Sequence, residues 1–126
     1  IEGDNSYNKV NVLRRMKALK IIQDKNPDVE ISFTLATMPT GLLAPSGLMI
    51  VKTAIDENVK FKMINLMLMD YGGSFPAETE GELKMAAYSI QALQSVNAQL
   101  KILLAGKTGY PAKVNGEFYN VLGAAP

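Results

Sequence analysis

From about Val10 to Asp24 the apolar side chains fall at Val12, Leu13, Met16, Leu19 and Ile22. That spacing predicts a helix with one buried face, and Asn26-Pro27 ends it because proline offers the next turn no donor. The period then changes. Over 30–36 (EISFTLA), Ile31, Phe33 and Leu35 alternate with Ser32, Thr34 and Ala36, with the β-branched and aromatic bias of a strand. Helical spacing returns from Ser46-Gly47 to about Glu57 through Leu48, Val51 and Ile55, and a second strand is expected from about Phe61 to Met69. Thr79-Glu80-Gly81-Glu82 fits a capping box ahead of Leu83, Ala86, Ala87, Ile90, Leu93, Leu100 and Leu104, which predicts about 25 residues of helix. Phe118 to Ala125 reads as a final strand.

Helices alternating with strands predict an α/β fold in which crossover helices join parallel strands. The strand-to-helix connections, 37–46 (TMPTGLLAPS) and 70–79 (DYGGSFPAET), are long and rich in Gly, Pro and polar residues, whereas the first two helix-to-strand links are short. Long loops therefore follow the C-terminal ends of the strands, the edge where ligands bind in (β/α)8 barrels and in open doubly wound sheets. Three strands cannot close a barrel, and the first helix has no strand ahead of it. The expectation is one domain or part of one, with no separate second domain.

Composition narrows the chemistry. At 126 residues, 48% hydrophobic, the chain can bury an ordinary core. A net charge of +1 and the lack of a Lys/Arg cluster interleaved with aromatics argue against a nucleic-acid surface. The apolar runs fall well short of the roughly 20 residues that span a bilayer. With no Cys and no His, thiolate nucleophiles, imidazole bases and the usual zinc sites are excluded, and neither metal nor cofactor is expected. Catalysis is left to carboxylates, Tyr, Lys, Ser or Thr.

Two carboxylates belong to the ligand-binding edge. Asp70 ends the strand from Phe61, and Glu2 would end a strand whose body precedes residue 1. A carboxyl group desolvated in a cleft is a general-acid candidate, although a terminal Glu is more often solvated, and Asp70 has a plainer alternative as acceptor for the N–H groups of Gly72 or Gly73. Tyr71 can donate one hydrogen bond into a cleft, and period-two alternation places it with Met67 and Met69. The methionines fit core filling better than a binding stripe. Gly72-Gly73 permit a bend and, with Ser74, leave open an alternative in which an unrelated α/β domain binds a phosphorylated small molecule, although no Walker or dinucleotide fingerprint is present.

Taken in order, Ile1-Glu2-Gly3, EISFTLATMPTGL (30–42), Met69-Asp70-Tyr71-Gly72 and FYNVLGAAP (118–126) resemble the bacterial chitinases of the family 18 glycoside hydrolases. They are similar to the end of the family's Asp-x-x-Asp-x-Asp-x-Glu signature, its fifth strand and loop, its sixth-strand Met-x-Tyr-Asp motif and its seventh strand. The resemblance implies that residues 1–126 are a fragment of a (β/α)8 TIM barrel, from the end of the fourth strand to the seventh, in a secreted protein acting on chitin or N-acetylglucosamine oligosaccharides. It implies Glu2 as the general acid and base, Tyr71 as hydrogen-bond donor to the substrate's N-acetyl group, and Met69 and Asp70 as substrate-binding residues. The sugar's own acetamido oxygen is then the nucleophile, so no second catalytic carboxylate is required. Gly72 stands where much of the family has Asp or Asn, and the signature aspartates precede residue 1, so the chain alone is expected to be inactive. A non-catalytic, chitinase-like carbohydrate-binding protein is the nearest alternative.

Overall fold

The computed structural model describes residues 1–73, 75 and 81–126, without the side chains of 81–83. Two helices open the chain, α1 (Asp4–Tyr7) and α2 (Lys9–Lys25), followed by β1 (Ser32–Met38), β2 (Gly41–Leu42), α3 (Ser46–Asp56), β3 (Met63–Met67), α4 (Gly81–Leu103), a 3-10 turn (Tyr119–Val121) and β4 (Leu122–Ala125). The strands form one sheet in the order β2-β1-β3-β4. β1 runs parallel to β3 with Phe33 opposite Ile64 and Leu35 opposite Leu66, and β3 runs parallel to β4 with Leu66 opposite Ala124. The fold is α/β with parallel strands and crossover helices, as the alternation of periods predicts. β2 adds a short antiparallel hairpin to β1, pairing Thr37 with Leu42 and Met38 with Gly41.

Alternation along the strands sorts the sheet into two faces. Phe33, Leu35, Ile64, Leu66 and Leu68 are buried in one core with Val12 and Met16 of α2, Ile50, Val51 and Ala54 of α3, and Ala92, Val96 and Leu100 of α4. The alternate positions Ser32, Thr34 and Met63 are exposed, and Ala36, Asn65, Met67 and Met69 half-buried. The helices thus cover one face.

Several boundaries differ from the sequence expectation. Helix α2 begins at Lys9 because the Asn8 side chain caps it, accepting from the Asn11 N–H at 3.0 Å. The strand expected over Phe61–Met69 is regular only over Met63–Met67, and that expected over Phe118–Ala125 spends its first half in the 3-10 turn. The capping box at 79–82 and the Ser74 of the glycine loop lie outside the described residues and side chains, although α4 does start at Gly81. No described helix is long and apolar enough to cross a membrane.

Candidate functional site

The chain's first residues join the sheet. Ile31 O accepts from Lys62 N at 2.8 Å, toward β3; carbonyls alternate along a strand, so Thr34 O points to the opposite edge of β1. There it accepts from the Ile1 nitrogen at 2.9 Å. Glu2 is thereby carried to the C-terminal end of β1, where Gly3 turns the chain at φ 63° into α1 and Ser6, buried, fastens the turn by donating to Gly3 O at 2.7 Å.

On the other side of the same edge β3 ends at Met67, and Leu68 still bonds to Ala125 O at 2.8 Å. Asp70 then takes a left-handed backbone, φ 51°, and Gly72 another, φ 74°. Short polar side chains tolerate this region better than others, yet a non-glycine residue held there is strained. Among the described residues the Asp70 carboxylate is not bonded to Gly72 or Gly73.

Between these two loops lies a pocket of about 260 Å³ lined by Glu2, Ala36, Thr37, Met38, Leu43, Met67, Met69 and Asp70. Three of the residues singled out in the sequence, Glu2, Met69 and Asp70, share it. Both carboxylates are exposed to solvent, and the methionines make the walls soft and apolar. Three lining residues that sequence reasoning missed, Thr37, Met38 and Leu43, come from the β1–β2 hairpin and its exit. Thr37 is itself buried and donates its hydroxyl to Met67 O at 2.7 Å, pinning the hairpin base to β3.

Tyr71 stands next to the pocket but does not line it. Only 4% of it is exposed, edge-on to Phe75 and Tyr88 with centroids 6.4 and 6.2 Å away. Its buried hydroxyl has no hydrogen-bond partner among the described residues, an unusual state for a phenol. The period-two argument placing it beside Met67 and Met69 does not extend this far, because regular strand ends at Met67 and the left-handed Asp70 resets the alternation.

A larger hollow, about 310 Å³, opens at the opposite edge of the sheet beside Gln23, Lys60 and Lys62. Its lysines are occupied: Lys62 pairs with Glu30 at 2.6 Å, and Lys60 bonds Thr108 O at 2.8 Å beneath the Tyr110 ring. Burial, with Lys20 and Lys107 nearby, lowers the Lys60 pKa. It holds none of the groups at the C-terminal strand ends, where α/β sheets place their chemistry. Among the described residues no cluster of acidic side chains could hold a metal ion.

Along its whole length the chain is 32% identical to part of a "Probable bifunctional chitinase/lysozyme" of Escherichia coli (strain K12) and, again at 32%, to part of "Endochitinase 11" of Metarhizium anisopliae. The chain is a relative of chitinases. The resemblance to the family 18 enzymes read from the four motifs is borne out by both comparisons. This chitinase relative spans 14% of the first protein's length and 24% of the second's. No family model matches it, and no solved structure does.

Proposed function

We propose that residues 1–126 form the stretch of a chitin-hydrolysing (β/α)8 barrel from the end of its fourth strand to its seventh, in a secreted protein that cleaves β-1,4 N-acetylglucosamine linkages. The observation that carries this reading is the pocket at the C-terminal strand edge, which gathers Glu2, Met69 and Asp70 from distant parts of the sequence. The chitinase names of both relatives supply the substrate class.

Glu2 protonates the glycosidic oxygen. The N-acetyl carbonyl oxygen of the sugar on the non-reducing side attacks the anomeric carbon, and the bond to the leaving sugar breaks. Glu2, now a carboxylate, takes a proton from the water that opens the cyclic intermediate, restoring the acid with retained configuration. The resemblance assigns Tyr71 as donor to the N-acetyl group, holding its oxygen in line for attack; because the phenol is buried beside the pocket, without a partner among the described residues, that role requires its hydroxyl to turn toward the sugar. Met69 and Asp70 contact the sugar from the pocket wall and rim.

Intact mass and N-terminal sequence identify the polypeptide carrying residues 1–126. In that protein Glu2→Gln is expected to lower kcat on N-acetylglucosamine oligosaccharides by about 10²-fold or more while oligosaccharide binding persists. Wild-type turnover by Glu2→Gln removes Glu2 from the mechanism; binding without hydrolysis by the unmodified protein identifies a chitinase-like lectin instead.

A further inference from the structure

The hairpin that walls the pocket is too short to hold itself. β1 and β2 share only the pairs Thr37–Leu42 and Met38–Gly41, and a two-stranded ribbon of this size is not stable in isolation. Beyond the β1–β3 ladder and the Thr37 bond to Met67 O, its support comes from α4. Gln99 accepts the Leu42 N–H through Oε1 at 2.9 Å, and Ser95, one turn earlier on the same helix face, donates to Pro39 O at 2.8 Å. The fit is close: Gly41 lies at φ 112°, and a Cβ there would stand 2.6 Å from Gln99 Oε1. Leu42 is itself buried, only 3% exposed, so no water replaces Gln99 as acceptor. None of these groups lines the pocket, whereas Met38 and Leu43, on either side of the clamped segment, do. Tyr88, eleven positions before Gln99, packs against Tyr71, the residue that follows Asp70 of the pocket, so one helix touches both loops at this edge.

We infer that Gln99 is a positioning residue for substrate binding: it fixes the Met38–Leu43 wall at the distance from Met69 and Asp70 that a sugar ring requires. The inference rests on the chitinase reading of the pocket. Gln99→Met keeps the side chain's length and removes the acceptor, and Gln99→Glu restores an acceptor at the same place. In the full-length protein Gln99→Met is expected to raise KM and the oligosaccharide Kd about tenfold, with a smaller change in kcat, and Gln99→Glu to recover part of that loss. A Gln99→Met protein that folds cooperatively and keeps the wild-type Kd overturns the inference. If Gln99→Met does not fold, Ser95→Ala decides: a raised Kd supports the clamp, an unchanged one overturns it. Should the unmodified protein bind no oligosaccharide, the pocket reading falls and this inference with it, whereas a clean Glu2→Gln effect beside a silent Gln99→Met isolates the failure to the clamp.

Discussion

At the scale of single residues, Asp70 joins backbone strain to a proposed role in binding. A left-handed backbone costs an L side chain about 1 kcal/mol or more, and Asp70 pays it at φ 51° on the rim of a pocket. Asp70→Gly is therefore expected to stabilise the chain by ~1 kcal/mol, several degrees in Tm for a domain of this size, and Asp70→Val to destabilise it by more, both read in thermal or urea unfolding. If the carboxylate contacts the sugar, the stabilised glycine variant binds N-acetylglucosamine oligosaccharides more weakly. Stabilisation with undiminished binding removes Asp70 from the site. That Met69 and Asp70 lie at the C-terminal strand edge was legible from strand order and loop length, whereas Glu2 was placed there only as the end of a strand whose body precedes residue 1. The burial of Tyr71 was not, since alternation carries no information past the residue where the strand stops, and nothing in the local sequence marks Met67 as that residue.

The same limit recurs at the scale of elements. Strand alternation came through, with Ile31, Phe33 and Leu35 buried as their spacing predicts, but the helix faces did so only in part: Val12, Met16, Val51 and Leu100 are buried, whereas Ile22, Ala86, Ala87 and Ile90 are exposed. Strand lengths did not, because apolar runs continue past the last ladder bond. The sequence carries a sharper turn signal at 115–116. Asn115-Gly116 sits at φ 53° and 81° in a two-residue turn closed by Val114 and Glu117, with N–H to O distances of 2.9 and 3.0 Å, the conformation that Asn-Gly favours. The turn delivers Glu117 to α4, where Lys101 bonds one carboxylate oxygen at 2.7 Å and the Asn97 amide donates to the other. Buried Asn97 also accepts from Phe118 N at 2.7 Å, so Asn97→Ala strands that N–H and is expected to cost about 1–3 kcal/mol in urea unfolding. The bonds from Lys101 and Asn97 hold the Glu117 carboxyl below its ordinary value of 4.5. A carboxyl lowered on folding contributes stability that is complete above its unfolded pKa and disappears as pH falls through the folded one. Glu117→Gln should therefore flatten the acid limb of stability below about pH 4.5 and leave its shape near neutrality unchanged; an unaltered acid limb refutes the coupling.

For the whole molecule, the decisive feature is the asymmetry of the sheet. Helices α2, α3 and α4 share one core with its inner face, while Ser32, Thr34 and Met63 are exposed on the other. An open sheet with ligand loops at its strand ends suits either a sugar-binding barrel segment or a small phosphate-binding domain, so periodicity alone left both readings standing, and the chitinase names of the two relatives favour the first. Ligand linkage separates the readings without any assay of turnover. A ligand that binds only the folded state stabilises it by RT ln(1 + [L]/Kd), about 2.7 kcal/mol at a hundred times Kd. An N-acetylglucosamine oligosaccharide is expected to raise the Tm of the protein carrying these residues by several degrees, and a nucleotide at equal concentration to leave it unchanged. Because binding survives the loss of the acid, Glu2→Gln should show the same shift. Protection by the nucleotide and not by the sugar would move the site to the glycine loop beyond Tyr71 and end the chitinase reading of this pocket.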